Sequence, residues 1–287
     1  MKNIGINVNT TKNLNKKMLN FIIKNIRSID DNVNIKVYED CRGLDESESN
    51  KLDIIIVLGG DGTILNTSKN VLSSKTPILG INIGHLGFLA QVEISNVKRA
   101  LNRLFRGEYA IEERDMLQCS YDDGNEIKRY DGLNDVVLCR KINSRIQKYD
   151  VYINDIFYNE FNGDGIIVCT STGSTGYNLS AGGPIIHPSL NALCLTPMYS
   201  QSLTARTIIL DSKSCINIAS EKKFENVYLS IDGQRCIEID GLKSVKISMS
   251  ENKRKLIKFD NNDYFNTLKE KITFKVKGCE HKTYEGN

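Results

Sequence analysis

The 287-residue sequence has no Cys-x-x-Cys pair, and its eight cysteines (Cys41, Cys119, Cys139, Cys169, Cys194, Cys215, Cys236 and Cys279) have no histidine nearby at ligand spacing. Metal and disulfide frameworks need closer order than this, so the expectation is free thiols in a reducing cytosol. No signal peptide opens the chain, and no apolar run approaches the roughly 18–20 residues of a membrane span, so a cytoplasmic protein without a membrane partner is expected. A net charge of only +3 argues against nucleic acid as the main partner but suits small polyanions such as nucleotides. Internal repeats and low-complexity linkers are missing. So are the two usual nucleotide signatures: there is no G-x-x-x-x-G-K-[ST], and no G-x-G-x-x-G at the first strand–helix turn. Their absence excludes a P-loop protein and weakens an ordinary dinucleotide dehydrogenase.

What is present centres on Asp53-Ile-Ile-Ile-Val-Leu-Gly-Gly-Asp-Gly-Thr63. The apolar run Ile54 to Leu58 reads as a strand buried on both faces, as in parallel sheets. After it, Ile64, Leu65, Ser68, Val71 and Leu72 fall on one helical face. Glycines between the carboxyl end of a strand and the start of a helix stand where open α/β sheets bind ligands and where backbone N–H groups attract anions. Gly59, Gly60 and Gly62 would let the backbone approach a phosphate. Asp61 does not fit a purely anionic ligand. A carboxylate there makes sense if it takes a proton from an attacking hydroxyl or holds a metal. Gly-Asp-Gly as a mere hairpin turn is the alternative, but no alternating second strand follows.

Around this stretch the first hundred residues alternate strand and helix. Ile4 to Val8 reads as a strand with Thr10 or Thr11 as a cap. Leu14, Met18, Phe21, Ile22 and Ile26 trace an amphipathic stripe, and Val33, Ile35 and Val37 alternate. Ile78 to Ile83 forms another short apolar run, ending in Gly84-His-Leu-Gly-Phe-Leu89, where His85 reads as structural rather than catalytic. Ser95 is the expected cap of a helix carrying Val97, Leu101, Leu104 and Phe105. This alternation predicts a Rossmann-like parallel α/β domain ending near residue 106. From Tyr109 the pattern becomes many short strands separated by turn clusters, which predicts a β-sandwich-like domain over 107–262. A last helix near Tyr264 to Ile272 would return residues 263–287 to the first domain, 1–106.

Two constellations interrupt the β region. Leu133-Asn-Asp-Val136 places an amide and a carboxylate beside a strand. Asn162-Gly-Asp-Gly165 leads through a buried strand into Thr170-Ser-Thr-Gly-Ser-Thr-Gly-Tyr-Asn-Leu-Ser-Ala-Gly-Gly-Pro184. That run of hydroxyls and glycines is too polar and flexible to expect in a core, and such loops usually carry function. Its donors suit ribose and phosphate oxygens, and Tyr177 offers a ring for stacking.

Taken in order, Gly59-Gly-Asp-Gly-Thr63, Asn134-Asp135 and Asp164-Gly165 with Thr172 to Pro184 resemble the NAD kinase family, and His85 to Leu89 fits as well. The first motif is shared with diacylglycerol and sphingosine kinases, whereas the hydroxyl–glycine run is specific. The resemblance implies phosphoryl transfer from ATP, or from polyphosphate, to the 2′-hydroxyl of the adenosine ribose of NAD. It implies Asp61 as the base, with Gly59, Gly60, Gly62 and Thr63 as the phosphate loop. Asp61, Gly62, Asn134, Asp135, Asn162, Asp164, Thr172, Thr175, Gly176, Tyr177, Asn178, Leu179, Ser180 and Gln234 would bind the dinucleotide, with Arg145 and Tyr199 as weaker assignments. It further implies a homodimer or homotetramer. The sequence shows no dedicated all-protein metal cage, which suits Mg²⁺ carried in by ATP. Asn162, Gly176 and Tyr199 depart from the family pattern, where a basic residue, alanine and a smaller residue are usual. Two rival readings are a lipid kinase sharing the first motif and a non-catalytic dinucleotide sensor that would not need Asp61.

Overall fold

A computed structural model describes residues 1–10, 14–72, 75–84, 87–201, 205–259 and 264–271. It divides into two compact units, Met1–Glu112 with the chain from Lys255 on, and Glu113–Arg254.

The first unit contains β1 (Asn3–Val8), α1 (Leu14–Ile29), β2 (Asn34–Glu39), α2 (Glu46–Ser49), β3 (Ile54–Leu58), α3 (Asp61–Asn70), β4 (Ile78–Asn82), β5 (Val92–Glu93) and α4 (Val97–Phe105). The strands pair in parallel in the order β2-β1-β3-β4-β5. Every residue of β3 is buried, as expected for a central strand covered on both faces. At about 1.5–3 kcal/mol per large apolar side chain, this strand is a main source of the unit's stability. Ile22 and Ile26 of α1 share one core cluster with Val97, Leu101 and Leu104 of α4 and with Ile54, Ile56 and Leu58. The amphipathic stripe of α1 therefore reads correctly from sequence. Two expected caps do not. The Thr10 N–H and hydroxyl both bond the Asp40 carboxylate, and Thr11 lies outside the described residues. Ser95 sits inside a 3₁₀ turn, Ile94–Asn96, so Asn96 precedes α4. His85 also lies outside the described residues. A helix over 264–271 is present.

In the second unit the strands are β6 (Ala110–Asp122), β7 (Ile127–Gly132), β8 (Asp135–Arg140), β9 (Gln147–Ile153), β10 (Ile156–Gly163), β11 (Gly165–Thr170), β12 (Ala192–Met198), β13 (Ile208–Asp211), β14 (Ile216–Ala219), β15 (Val227–Ile231), β16 (Arg235–Glu238) and β17 (Ser244–Lys258), with α5 (Tyr177–Ser180) after β11. One antiparallel sheet runs β13-β12-β11-β8-β15-β16. The other joins β10, β9, β14 and β17, with β6 and β7 as a hairpin. Val136, Leu138, Ile166 and Leu229 of the first face Tyr149, Val151, Ile218 and Ile247 of the second in one core cluster, which is a sandwich. β6 and β17 run unbroken past the unit boundaries, so no linker marks these in the sequence.

Candidate active site

The predicted residues fall into a phosphate-loop group on the first unit and a larger group on the second. In the first, Gly60 ends the approach from β3, and Asp61 is the first residue of α3. The Asp61 carboxylate turns back against the segment after β4. Its Oδ2 accepts the Phe88 N–H at 2.9 Å, and its Oδ1 accepts those of Leu89 at 3.1 Å and Ala90 at 3.0 Å. Charge-assisted bonds of this kind hold an ionised carboxylate strongly. Of the three glycines, Gly59 is needed for packing, because a Cβ there would lie 2.7 Å from Thr63 Cβ. A Cβ on Gly60 or Gly62 would meet nothing within 4 Å, so these two positions keep the expected open backbone. Thr63 is buried, and its Oγ1 accepts from Asn9 Nδ2 at 3.3 Å.

On the second unit, pairing across the sheet brings three chain segments to one edge. Asp135 opens β8 opposite Cys169 near the end of β11, and Val136 pairs with Ile231 at the end of β15. The turn after β15 carries Asp232 at φ +53. Its carboxylate accepts the N–H groups of Leu133 at 2.7 Å, Asn134 at 2.7 Å and Asp135 at 3.0 Å. Burial pushes the Asp232 carboxyl up, against those three donors, which favour its charge. Burial, and then the nearby Asp232 charge, push Asp135 up to about 7. The Asn134 Oδ1 is buried with no hydrogen-bond partner, an uncommon state for a native polar atom. Gln234 sits on the same turn as Asp232, its N–H donating to the Ile231 carbonyl.

The hydroxyl–glycine loop is more ordered than its composition implies. Thr170, Ser171, Ser174 and Asn178 are buried. The Ser174 hydroxyl donates to the Ser171 carbonyl at 2.7 Å and accepts from Ile186 N–H at 3.0 Å. Asn178 donates to the carbonyls of Ser174 and Pro184 and accepts from Thr196 at 2.6 Å. The expectation of a segment too polar for a core is thus corrected: half its polar groups staple the loop to itself. Asn178 is among the staples, so its side chain shapes the site from within. Thr172 is buried and accepts from Arg114 Nη1 at 3.2 Å, and the Thr175 hydroxyl donates to the Thr172 carbonyl. Gly173 lies so close to Asn134 that a Cβ would stand 2.7 Å from its Cα, which locks the loop to the Asn134-Asp135 pair. Gly176 faces the same pair, its would-be Cβ 3.3 Å from Asn134 Nδ2 and 3.9 Å from Asp135 Oδ2. Leu179 is half-buried, while Tyr177 and Ser180 are exposed.

Asp164 stands at the other end of β11. Its Oδ1 accepts from Arg140 Nε at 2.7 Å, and its N–H donates to the Met198 carbonyl. Tyr199 follows Met198 at φ +45 and is 78% exposed. Asn162 donates to Glu160 at 3.0 Å, and Arg145 is exposed in the loop between β8 and β9. Burial, and then the surrounding negative charge, push the Tyr177 phenol up.

Sequence reasoning missed Asp232, Arg140, Arg114 and Thr196. Only Asp232 left a local signal, the Asp-Gly pair between two alternating runs. Among the described residues no group of three His, Cys, Asp or Glu side chains could hold a metal ion. The cavity of about 350 Å³ lined by Asp115, Lys213, Ser250 and Lys253 includes none of the predicted residues.

Comparison with known proteins bears on the family and the fold. The family model described as ATP-NAD kinase N-terminal domain matches residues 3–109, and that described as ATP-NAD kinase C-terminal domain matches 133–259. The NAD kinase of Clostridium kluyveri is 71% identical over 280 residues, covering 98% of this chain and 99% of that protein. That of Clostridium botulinum is 46% identical over the same coverage. The fold resembles the crystal structure of yeast NADH kinase complexed with NADH, with a TM-score of 0.87 at 24% identity over 96% of this chain and 88% of that one. An Archaeoglobus fulgidus NAD kinase in complex with ATP gives 0.77 at 23% identity, over 94% and 98%. With both halves matched and close relatives aligned along nearly its whole length, the chain belongs to the NAD kinase family.

Proposed function

We propose that this chain moves the terminal phosphoryl group of ATP, or of polyphosphate, onto the 2′-hydroxyl of the adenosine ribose of NAD, giving NADP. The observation that carries the residue assignment is the Asp61 carboxylate, fixed at the first turn of α3 by three backbone N–H donors beside a glycine loop. Phosphoryl transfer asks a protein mainly for positioning and charge neutralisation. Asp61 aims the hydroxyl and accepts its proton as the new bond to phosphorus forms. The open backbone at Gly60 and Gly62, at a helix amino terminus, takes the phosphate oxygens. Mg²⁺ enters as part of the nucleotide substrate and shields its phosphates.

The dinucleotide is held by the second group. Asn134, whose Oδ1 is a buried acceptor without a partner, gains one from the ligand. Asp135, Asp164, Thr172, Thr175, Gly176, Ser180 and Gln234 complete this binding group, and Tyr177 stacks on a ring. The assembly is a homodimer or homotetramer, a reading supported by Ile156 and Phe157 on edge strand β10, which are 73% and 55% exposed. The seven described cysteines are all free thiols, which suits the reducing cytoplasm. No described helix is long and apolar enough to cross a membrane.

An assay for NADP formation tests this, with ATP and polyphosphate run side by side and diacylglycerol as a competing acceptor. NADP from at least one donor is expected. Phosphorylation of the lipid alone, or NAD binding without turnover, would overturn the proposal.

A further inference from the structure

An ionised carboxylate offers about four lone-pair positions, two on each oxygen. In Asp61, among the described residues, Oδ1 fills both of its own with the N–H groups of Leu89 and Ala90, while Oδ2 receives that of Phe88. Counted over the described residues, one acceptor position is left, and it is on Oδ2. The donors come from a single turn, closed by the Gly87 N–H donating to the Ala90 carbonyl at 3.3 Å. That turn rests on β4 at Gly80, where a Cβ would stand 2.9 Å from Ala90 Cα. Gly87 supplies the remaining space. A Cβ there would lie 2.8 Å from Asp61 Cγ, 3.1 Å from Oδ2 and closer still to Oδ1. The backbone at Gly87 is not left-handed, so glycine is needed for room and not for conformation.

We infer that the Gly87–Ala90 turn is the positioning element for Asp61, and that Oδ2 alone receives the acceptor hydroxyl. This rests on the assignment of Asp61 as proton acceptor. In the transfer step the hydroxyl oxygen bonds to the terminal phosphorus as the bond from that phosphorus to its bridging oxygen breaks. The leaving electron pair departs with ADP or the shortened polyphosphate, and the hydroxyl proton passes to Oδ2. Gly87 is a positioning residue, acting only through Asp61. A methyl group at 87 leaves the turn's backbone intact and evicts the carboxylate, which is the movable partner.

Gly87→Ala is therefore expected to lower kcat by about 10² or more, the scale of losing a positioned base, with KM for NAD changing less than about threefold because NAD binding depends mainly on other residues. The control is the Asp61→Gly background, where the added methyl has nothing to displace. There Gly87→Ala should leave both the residual kcat and the melting temperature unchanged, whereas non-interacting effects would add. An equal loss in both backgrounds, of rate or of melting temperature, would overturn the inference, as would wild-type kcat in Gly87→Ala. Should Gly87→Ala alone not fold, recovery of folding in the double variant supports the inference and continued failure overturns it. Wild-type turnover in Asp61→Gly would instead refute the assignment of Asp61 itself, so the two failures are distinguishable.

Discussion

Asp232 and Asp135 hold each other in place: the Asp135 N–H donates to Asp232 Oδ1 at 3.0 Å, and the Asp232 N–H returns a bond to the Asp135 carbonyl at 2.9 Å. Both carboxyls are buried, so their proximity has a titration consequence. Asp135 is pushed from 3.8 up to about 7 by burial first and the Asp232 charge second. Because the folded chain holds this proton more tightly than the unfolded chain, its contribution is fully present below about pH 4. It is lost as pH rises toward 7. Each tenfold change in proton affinity is worth about 1.4 kcal/mol, so the loss is on the order of 4 kcal/mol. Asp135→Asn should therefore gain stability relative to wild type as pH rises from 4 to 7, read as the difference between denaturation curves. A difference that does not vary with pH would contradict this.

Asn178 supports the hydroxyl loop through bonds to Ser174, Pro184 and Thr196. Asn178→Ala leaves those buried groups short of partners and should destabilise the second unit by about 1–3 kcal/mol. KM for NAD should rise with it. Denaturant titration and steady-state kinetics on the same variant check both.

Tyr177, nearly half exposed, lies on the outer face of the same loop. Tyr177→Ala is expected to raise KM for NAD more than it lowers kcat, as for a group that binds ground state and transition state alike. The reverse split would remove it from the binding surface.

The Arg140–Asp164 ion pair is partly exposed, with side chains 28% and 36% accessible. Such pairs are worth at most about 1 kcal/mol, so Arg140→Met should barely move the melting temperature. It frees the Asp164 carboxylate, however, and NAD affinity measured by calorimetry should weaken. A large stability loss with unchanged affinity would assign the pair a structural role.

The parts legible in the sequence are those whose signals are local. The Ile54–Leu58 run and the glycines after it specify a strand, a loop and a helix within about a dozen residues, and α1 shows its stripe directly. Asp232 reaches Leu133 across 99 positions, and the burial of Asn178 depends on Thr196 of a later strand. Neither dependence leaves a pattern in a single chain. β17 runs as one strand through the polar stretch Ser250 to Lys255, which no local apolar pattern marks. The polarity of the 170–184 loop was misleading for a related reason. Hydroxyls that look solvent-bound in sequence are satisfied by carbonyls folded back over them.

The most direct test is the turnover of Asp61→Asn in NADP formation, with NAD affinity measured alongside. Loss of a positioned base should lower kcat by about 10²–10⁴ while NAD affinity stays within about tenfold of wild type. Wild-type turnover in that variant would contradict the account.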